Sequence, residues 1–130
     1  MRAWICLLPL AVAGCAGSYE PQPLTEKQAM RLEKAVAGMT PGEKVSCISR
    51  SPTNSMTVIS GNVVLYRASS RLIYRNDLIG SCNGLTRGDT MIVRSYTAQS
   101  CRGDLVTSAD LGSGVVTGSC ALGDFTPYRK

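Results

Sequence analysis

Residues 25–37 carry the apolar period of an amphipathic helix. Four apolar residues recur three or four positions apart: Ala29, Leu32, Val36 and Met39. Thr25 can cap the first turn, and Gln28 three positions later completes a capping box. Gly38 follows as a natural stop. The stripe therefore predicts one helix, which we expect to pack on the sheet of its own domain rather than on a partner protein.

The pattern changes after residue 43 to short runs of alternating or β-branched residues. Such runs predict strands at residues 44–49, 56–60, 62–67, 71–75, 91–97, 105–108 and 115–117. Ser60-Gly61-Asn62 is a tight hairpin signal, and residues 76–89 are predicted to form a longer loop. The fold prediction is mainly β: a small antiparallel barrel or sandwich of six to seven short strands, preceded by one N-terminal helix.

Residues 1–14 have the layout of an export signal. A positive start, Met1-Arg2, precedes an apolar run from Ala3 to Val12. About ten residues are too few to cross a hydrocarbon core of roughly 30 Å as a helix. The sequence therefore favours a signal peptide that is removed over a membrane span.

Val12-Ala13-Gly14-Cys15 resembles the lipobox of bacterial lipoproteins. The resemblance implies that the Cys15 thiol receives a diacylglycerol, that the signal is cut before Cys15, and that the new amine is acylated with a chain such as palmitate. Ala16 in place of an aspartate implies sorting to the outer membrane, with the domain in the periplasm. Ordinary signal cleavage after Ala16 is the alternative. Residues 15–24 are then the lipidated cysteine and its tether, and residues 25–130 form one domain.

The mature chain is expected to be basic. Removal of residues 1–14 loses only Arg2, so 13 basic residues oppose 9 acidic ones, a balance of +4. Residues 44–130 alone carry ten basic and five acidic residues. A basic domain beside a membrane favours anionic lipid, an acidic glycan or an envelope protein as partner, and not nucleic acid. Solubility alone is the competing explanation of the charge.

Four cysteines remain beyond the signal and the lipid site: Cys47, Cys82, Cys101 and Cys120. An even number in a small exported domain predicts two disulfides, with three possible pairings. A simple antiparallel meander would bring Cys101 and Cys120 to the same end of the sheet, which favours Cys101–Cys120 and leaves Cys47–Cys82. The chain has no histidine and no C-x-x-C pair, so we expect no metal site.

The lack of histidine also excludes a Ser-His-Asp or Cys-His catalytic site within the chain. Paired carboxylates remain as candidates for glycan hydrolysis, from Asp89, Asp104, Asp110 and Asp124. Each of them lies in a turn-rich stretch, where aspartate commonly binds the backbone. The two Arg-Gly-Asp tripeptides, at 87–89 and 102–104, have the same interpretation. We therefore predict no catalytic residue and no cofactor.

Arg67, Arg71 and Arg75 cluster around one predicted hairpin. Such a patch could bind phosphate or carboxylate groups. A solvated edge that is protected from aggregation is the competing interpretation.

Four segments resemble an uncharacterised family of small exported or lipoprotein domains of proteobacteria with a four-cysteine frame. The segments are residues 74–78, 82–85, 101–104 and 118–127, the last of which ends in Leu122-Gly123-Asp124-Phe125-Thr126-Pro127. The turn at Ser60-Gly61-Asn62 departs from the family, where acidic residues are expected. The resemblance implies the fold and the role of the cysteines, and it carries no catalytic role.

The sequence thus predicts a disulfide-bonded, mainly β, outer-membrane lipoprotein that binds a component of the envelope and performs no chemistry. An inhibitor of a cell-wall hydrolase is one alternative, although a cationic lysozyme would be repelled by a +4 domain. A carboxylate-based glycan hydrolase is the other.

We predict that Cys15→Ser abolishes membrane attachment, because it removes the thiol that would carry lipid. Fractionation and the intact mass of the mature chain measure the effect. A mature wild-type chain that carries no lipid mass would contradict the lipoprotein interpretation.

Overall fold

The computed structural model describes Gly14 and residues 20–50 and 55–130. Cys15 and nearly all of the predicted signal lie outside the described residues. In the part that is described, no helix combines the length and the apolar character needed to cross a membrane.

The predicted helix is confirmed as α1, Glu26–Ala35. The Gln28 backbone N–H donates to the Thr25 hydroxyl at 3.3 Å, and the Thr25 backbone N–H donates to the Gln28 side chain at 3.0 Å. Both halves of the capping box are therefore present. Leu32 is buried against four residues of the adjacent sheet, Ile59, Val63, Leu65 and Ile73. The apolar stripe packs on its own domain, as predicted.

The rest of the described chain is mainly β, which confirms the predicted fold class. Each of the seven predicted strands overlaps an observed one, and four short strands are added. In chain order they are β1 Thr40–Pro41, β2 Cys47–Ser49, β3 Ser55–Ser60, β4 Val63–Ser69, β5 Leu72–Asp77, β6 Ile79–Ser81, β7 Thr90–Arg94, β8 Gln99–Cys101, β9 Leu105–Asp110, β10 Val115–Ala121 and β11 Phe125–Arg129. A 3₁₀ helix at Asn83–Arg87 lies between β6 and β7.

The strands form three antiparallel sheets. Their orders are β1-β11-β5-β4-β3, β6-β10-β9-β7 and β2-β8. The five-stranded sheet is covered by α1 on one face and packs its other face toward the four-stranded sheet, in a sandwich-like arrangement. Phe125 has no exposed surface at this second contact, and its ring centroid lies 6.0 Å from that of Tyr66 and 6.4 Å from that of Tyr74.

A reciprocal hydrogen bond fixes the crossing of the chain from β10 to β11. The side-chain amide of Asn76 donates to the Gly123 carbonyl at 2.8 Å and accepts from the Gly123 N–H at 3.0 Å. Asn76 is fully buried, and any Cβ at Gly123 would overlap the Asp77 carbonyl. The bond therefore requires both the amide and the glycine.

The disulfide pairing that we favoured from the sequence, Cys47–Cys82 with Cys101–Cys120, is wrong. The bonds are Cys47–Cys101 and Cys82–Cys120. The prediction failed because the strands do not form a simple meander. β2 pairs with β8 so that Cys47 and Cys101 are opposed. Part of the predicted loop at 76–89 is in fact β6, which pairs with β10 and brings Cys82 beside Cys120.

The two disulfides differ in burial, which predicts a difference in their reduction. Cys82 and Cys120 are 0% and 7% exposed, whereas Cys47 and Cys101 are partly exposed. We expect mild reduction of the folded protein to open Cys47–Cys101 first, and alkylation followed by peptide mapping measures the order. Equal labelling of all four cysteines at the first time point would contradict the buried position of Cys82–Cys120.

Candidate functional site

A cleft of about 650 Å³ lies between α1, β3 and the segment that contains the 3₁₀ helix. One wall is the first half of α1 with its cap: Thr25, Lys27, Gln28 and Arg31. Residues 56–59 of β3 form the base, and the opposite wall consists of Leu85, Thr86, Gly88 and Asp89. Sequence segments about 30 residues apart therefore meet in one site.

The base of the cleft is the open edge of a sheet. β3 is the last strand of the five-stranded order, and within residues 20–50 and 55–130 it pairs only with β4. The Arg31 guanidinium donates to the Val58 carbonyl at 3.2 Å, which shows that this carbonyl points away from β4. Since the N–H and C=O of one residue in an antiparallel ladder point the same way, and alternate residues repeat the direction, Met56 shares this orientation.

A partly buried polar network holds the 3₁₀ wall against the four-stranded sheet. The Thr117 hydroxyl donates to the Asp89 carboxylate at 2.5 Å and is hydrogen-bonded to the buried Ser108 hydroxyl at 3.0 Å. A Cβ at Gly84 would overlap both Thr117 and Asp89. Glycine at position 84 therefore allows the 3₁₀ helix to approach the network closely enough to form the wall.

The cleft has a net positive lining, with the positive charge on one side. Lys27 and Arg31 are four residues apart on one face of α1 and form its cationic wall. Asp89 is the one acidic residue among the described residues that line the cleft, and it is engaged by Thr117 and by Arg87 at 3.8 Å. The remaining polar groups are uncharged, so the field across the cleft favours an anion beside α1.

The arginines predicted as an anion-binding patch lie elsewhere, on β4, β5 and the turn between them. Arg67 and Arg71 are exposed. Arg75 is partly buried, and its Nε and Nη2 donate to one Asp77 carboxylate oxygen at 3.1 and 2.7 Å. The ion pair with Asp77 offsets the charge of Arg75, so Arg67 and Arg71 supply the remaining positive charge of the predicted patch.

The aspartates that sequence analysis considered for catalysis all have structural partners. Asp104 binds the Ser95 hydroxyl and accepts from the Cys101 N–H at 2.9 Å, and Asp124 pairs with Arg102 at 2.6 Å. Asp110 accepts from the Gly112 N–H at 2.8 Å, and this bond, with help from Ser113, lowers the pKa of Asp110.

The two Arg-Gly-Asp tripeptides form turns, as predicted. Their glycines, Gly88 and Gly103, have φ angles of 94° and 90°, a region in which residues with a Cβ are disfavoured.

A second, smaller cleft of about 230 Å³ lies on the other face of the five-stranded sheet. Tyr66, Met91, Val93 and Ile48 line it together with the polar residues Ser49, Arg50 and Ser100. Burial raises the pKa of Tyr66 to about 12, and the Tyr66 hydroxyl lies 3.9 Å from the Met91 sulfur. The volume of this second cleft is about a third of that of the first.

Comparison of the chain with protein-family models, with curated proteins and with solved structures finds no match. The family resemblance proposed from the cysteine frame therefore stays a prediction.

Sequence analysis missed the cleft although it predicted the helix that forms one wall. Lys27 and Arg31 belong to the polar face of the predicted helix, a pattern typical of a solvated surface. The capping box placed the start of α1 correctly. No local signal indicated that this start would lie beside an open sheet edge, because the order of the strands depends on pairing between distant segments.

The raised pKa of Tyr66 predicts a loss of stability at high pH. The folded protein holds the phenolic proton up to about pH 12, whereas the unfolded chain releases it near pH 10. The free energy of unfolding therefore falls as the pH rises from 10 to 12. By pH 11.5 we expect wild type to lose about 2 kcal/mol more than Tyr66→Phe, measured by denaturant titration at pH 9 and 11.5.

Tyr96→Phe is the matched control for this prediction, because the Tyr96 side chain is fully exposed. Between pH 9 and 11.5, the Tyr96→Phe variant should lose as much free energy of unfolding as wild type does. If Tyr66→Phe and Tyr96→Phe respond alike, the Tyr66 hydroxyl is not held protonated by the fold.

Proposed function

We propose that this protein is a lipid-anchored protein of the cell envelope that binds an anionic component in the cleft between α1, β3 and the 3₁₀ helix, without catalysing a reaction. The observation that carries the proposal is the cleft itself. It combines about 650 Å³ of volume, a cationic wall and an open strand edge. Concave sites with a few converging polar groups are where ligands commonly bind.

The path of the N-terminal segment supports a site close to the membrane surface. The Asn62 side chain donates to the Gln22 carbonyl at 3.3 Å, which ties the segment to the turn between β3 and β4. Gln22 lies seven positions after Cys15, and fully extended this stretch of chain spans at most about 25 Å. A lipid on Cys15 would therefore hold the cleft within reach of components at the membrane surface. Ala16, the residue after Cys15, favours the outer membrane as that membrane.

The environment of the carboxylates supports a binding role without catalysis. A general acid for glycan cleavage needs a raised pKa, whereas the pKa of Asp110 is lowered by its turn hydrogen bonds. Asp89, Asp104 and Asp124 each accept a hydrogen bond that supports a wall, a turn or a strand connection. These partners give the aspartates structural roles.

Photocrosslinking in intact cells tests where the protein binds. A benzophenone amino acid replaces Thr57 in the cleft, Arg71 in the arginine patch, or Ile92 on the outer face of the four-stranded sheet, one at a time. All three side chains are exposed. We expect a discrete adduct from position 57 and none from position 92.

The comparison between positions decides the outcome. An adduct from position 71 without one from position 57 would move the site to the arginine patch. Adducts of equal yield from all three positions, or from none, would contradict specific binding in the cleft.

A further inference from the structure

We infer that the cleft binds an extended, acidic segment of a partner protein, which adds as a strand to the open edge of β3. This inference rests on the proposed function for the position of the site, and it adds the chemical class of the ligand and the way in which it binds. Extended peptides bind other proteins in this way, with affinity from main-chain hydrogen bonds and specificity from alternate side chains.

The backbone of β3 offers the hydrogen-bonding groups that strand addition needs. The backbone C=O of Val58, and with it the N–H, is directed into the cleft, as the contact of the carbonyl with Arg31 shows, and the backbone groups of Met56 repeat that direction. Two residues with outward N–H and C=O groups can exchange four hydrogen bonds with a guest strand. Residues 56–59 line the cleft, and at about 3.3 Å per residue they match an extended segment of roughly four residues.

The walls on the two faces of β3 impose an alternating charge pattern on the guest. Ile59 packs with α1, so Ile59 and Thr57 face the helix, whereas Val58 packs toward the core between the sheets. Guest residues paired with Thr57 and Ile59 would therefore face Lys27 and Arg31. Those paired with Met56 and Val58 would face the other wall, where Leu85, Thr86 and Gly88 offer uncharged surface and Asp89 disfavours an acid.

Arg31 has a different partner when the edge of β3 is free and when a guest strand occupies it. In the structure its guanidinium satisfies the Val58 carbonyl at 3.2 Å. A guest N–H would replace this contact and release Arg31 to pair with a guest carboxylate, which forms a stronger, charge-assisted bond. A neutral or basic guest would displace Arg31 without offering this compensation. The complementary guest is thus acidic at every second residue and uncharged between.

The test selects peptides from a randomised nine-residue library on the purified full-length mature protein. We expect enrichment of segments with Asp or Glu at alternate positions, separated by β-branched or other uncharged residues. Hydrogen exchange should then show protection of the Met56 and Val58 amides when the best peptide is bound. No enrichment, or enrichment without this alternation, would overturn the inference.

Two modifications separate strand pairing from simple attraction of an anion. In the peptide, N-methylation of the residue that donates to Val58 should weaken binding about tenfold, and N-methylation of the next residue, which points away from β3, should have little effect. In the protein, Met56→Pro removes an outward N–H at an edge position where proline is tolerated, and it should also weaken binding. The N-methylated peptides decide the question even if Met56→Pro does not fold.

Charge variants test the cationic wall. Lys27→Gln with Arg31→Gln should weaken the peptide by at least tenfold at low salt and reduce its dependence on salt. The matched control, Arg67→Gln with Arg71→Gln, removes two positive charges from the arginine patch instead of the cleft. It should bind the peptide as wild type does. An equal loss in both double variants would show that net charge alone attracts the peptide.

The outcomes distinguish this inference from the proposed function. If position 57 crosslinks in cells but the selected peptides bind equally well with either N-methyl group, the cleft is a binding site and strand addition is wrong. If a sulfated glycan competes with the peptide and also binds the cleft with higher affinity, the ligand class is a glycan. If neither position 57 nor the peptides show binding in the cleft, both proposals fail.

Discussion

The reciprocal hydrogen bond between the Asn76 amide and the Gly123 backbone is the contact on which the arrangement of the sheets depends. It joins positions 47 residues apart and lies in the interior, where an unpaired amide would be costly. By holding the turn after β10 against the end of β5, it directs the final strand to pair with β5. β11 then packs Phe125 against Tyr66 and Tyr74.

The pairing of β11 with β5 leaves β3 as a terminal strand of the five-stranded sheet, and the other terminal strand, β1, has only two residues. β11 and β1 extend the sheet beyond β5, so the opposite end is left to β3. Open edges are a hazard, since unpaired backbone groups can recruit another chain. Here α1 and the 3₁₀ segment flank the edge, and Arg31 covers one of its carbonyls. The helix α1 with its Arg31 and the 3₁₀ segment thus limit unselective pairing at the edge, and they also form the walls of the cleft. For this reason we assign the edge of β3 a selective partner.

The two disulfides stabilise the parts of the domain that the sheets hold least. Cys47–Cys101 closes the two-stranded sheet β2-β8, whose strands have only three residues each. Cys82–Cys120 anchors the residue that precedes the 3₁₀ helix to β10. With the Asp89–Thr117 hydrogen bond, this second bridge fixes the wall opposite α1 at both ends. The covalent frame thus serves the geometry of the cleft as well as the stability of a small core.

The local sequence was sufficient for elements whose signals lie within a few residues. The capping box at Thr25 and Gln28 and the apolar stripe predicted α1 and the face it buries. The β-branched runs predicted seven strands, and the glycines at 88 and 103 predicted turns. It was not sufficient for β1, β6, β8 and β11, which are short or contain proline, or for the pairing of the cysteines. Strand order depends on which distant segments bury each other, and Asn76 and Gly123 carry no local sign of their bond. The disulfides, the open edge of β3 and the cleft beside it were therefore decided by the tertiary structure alone.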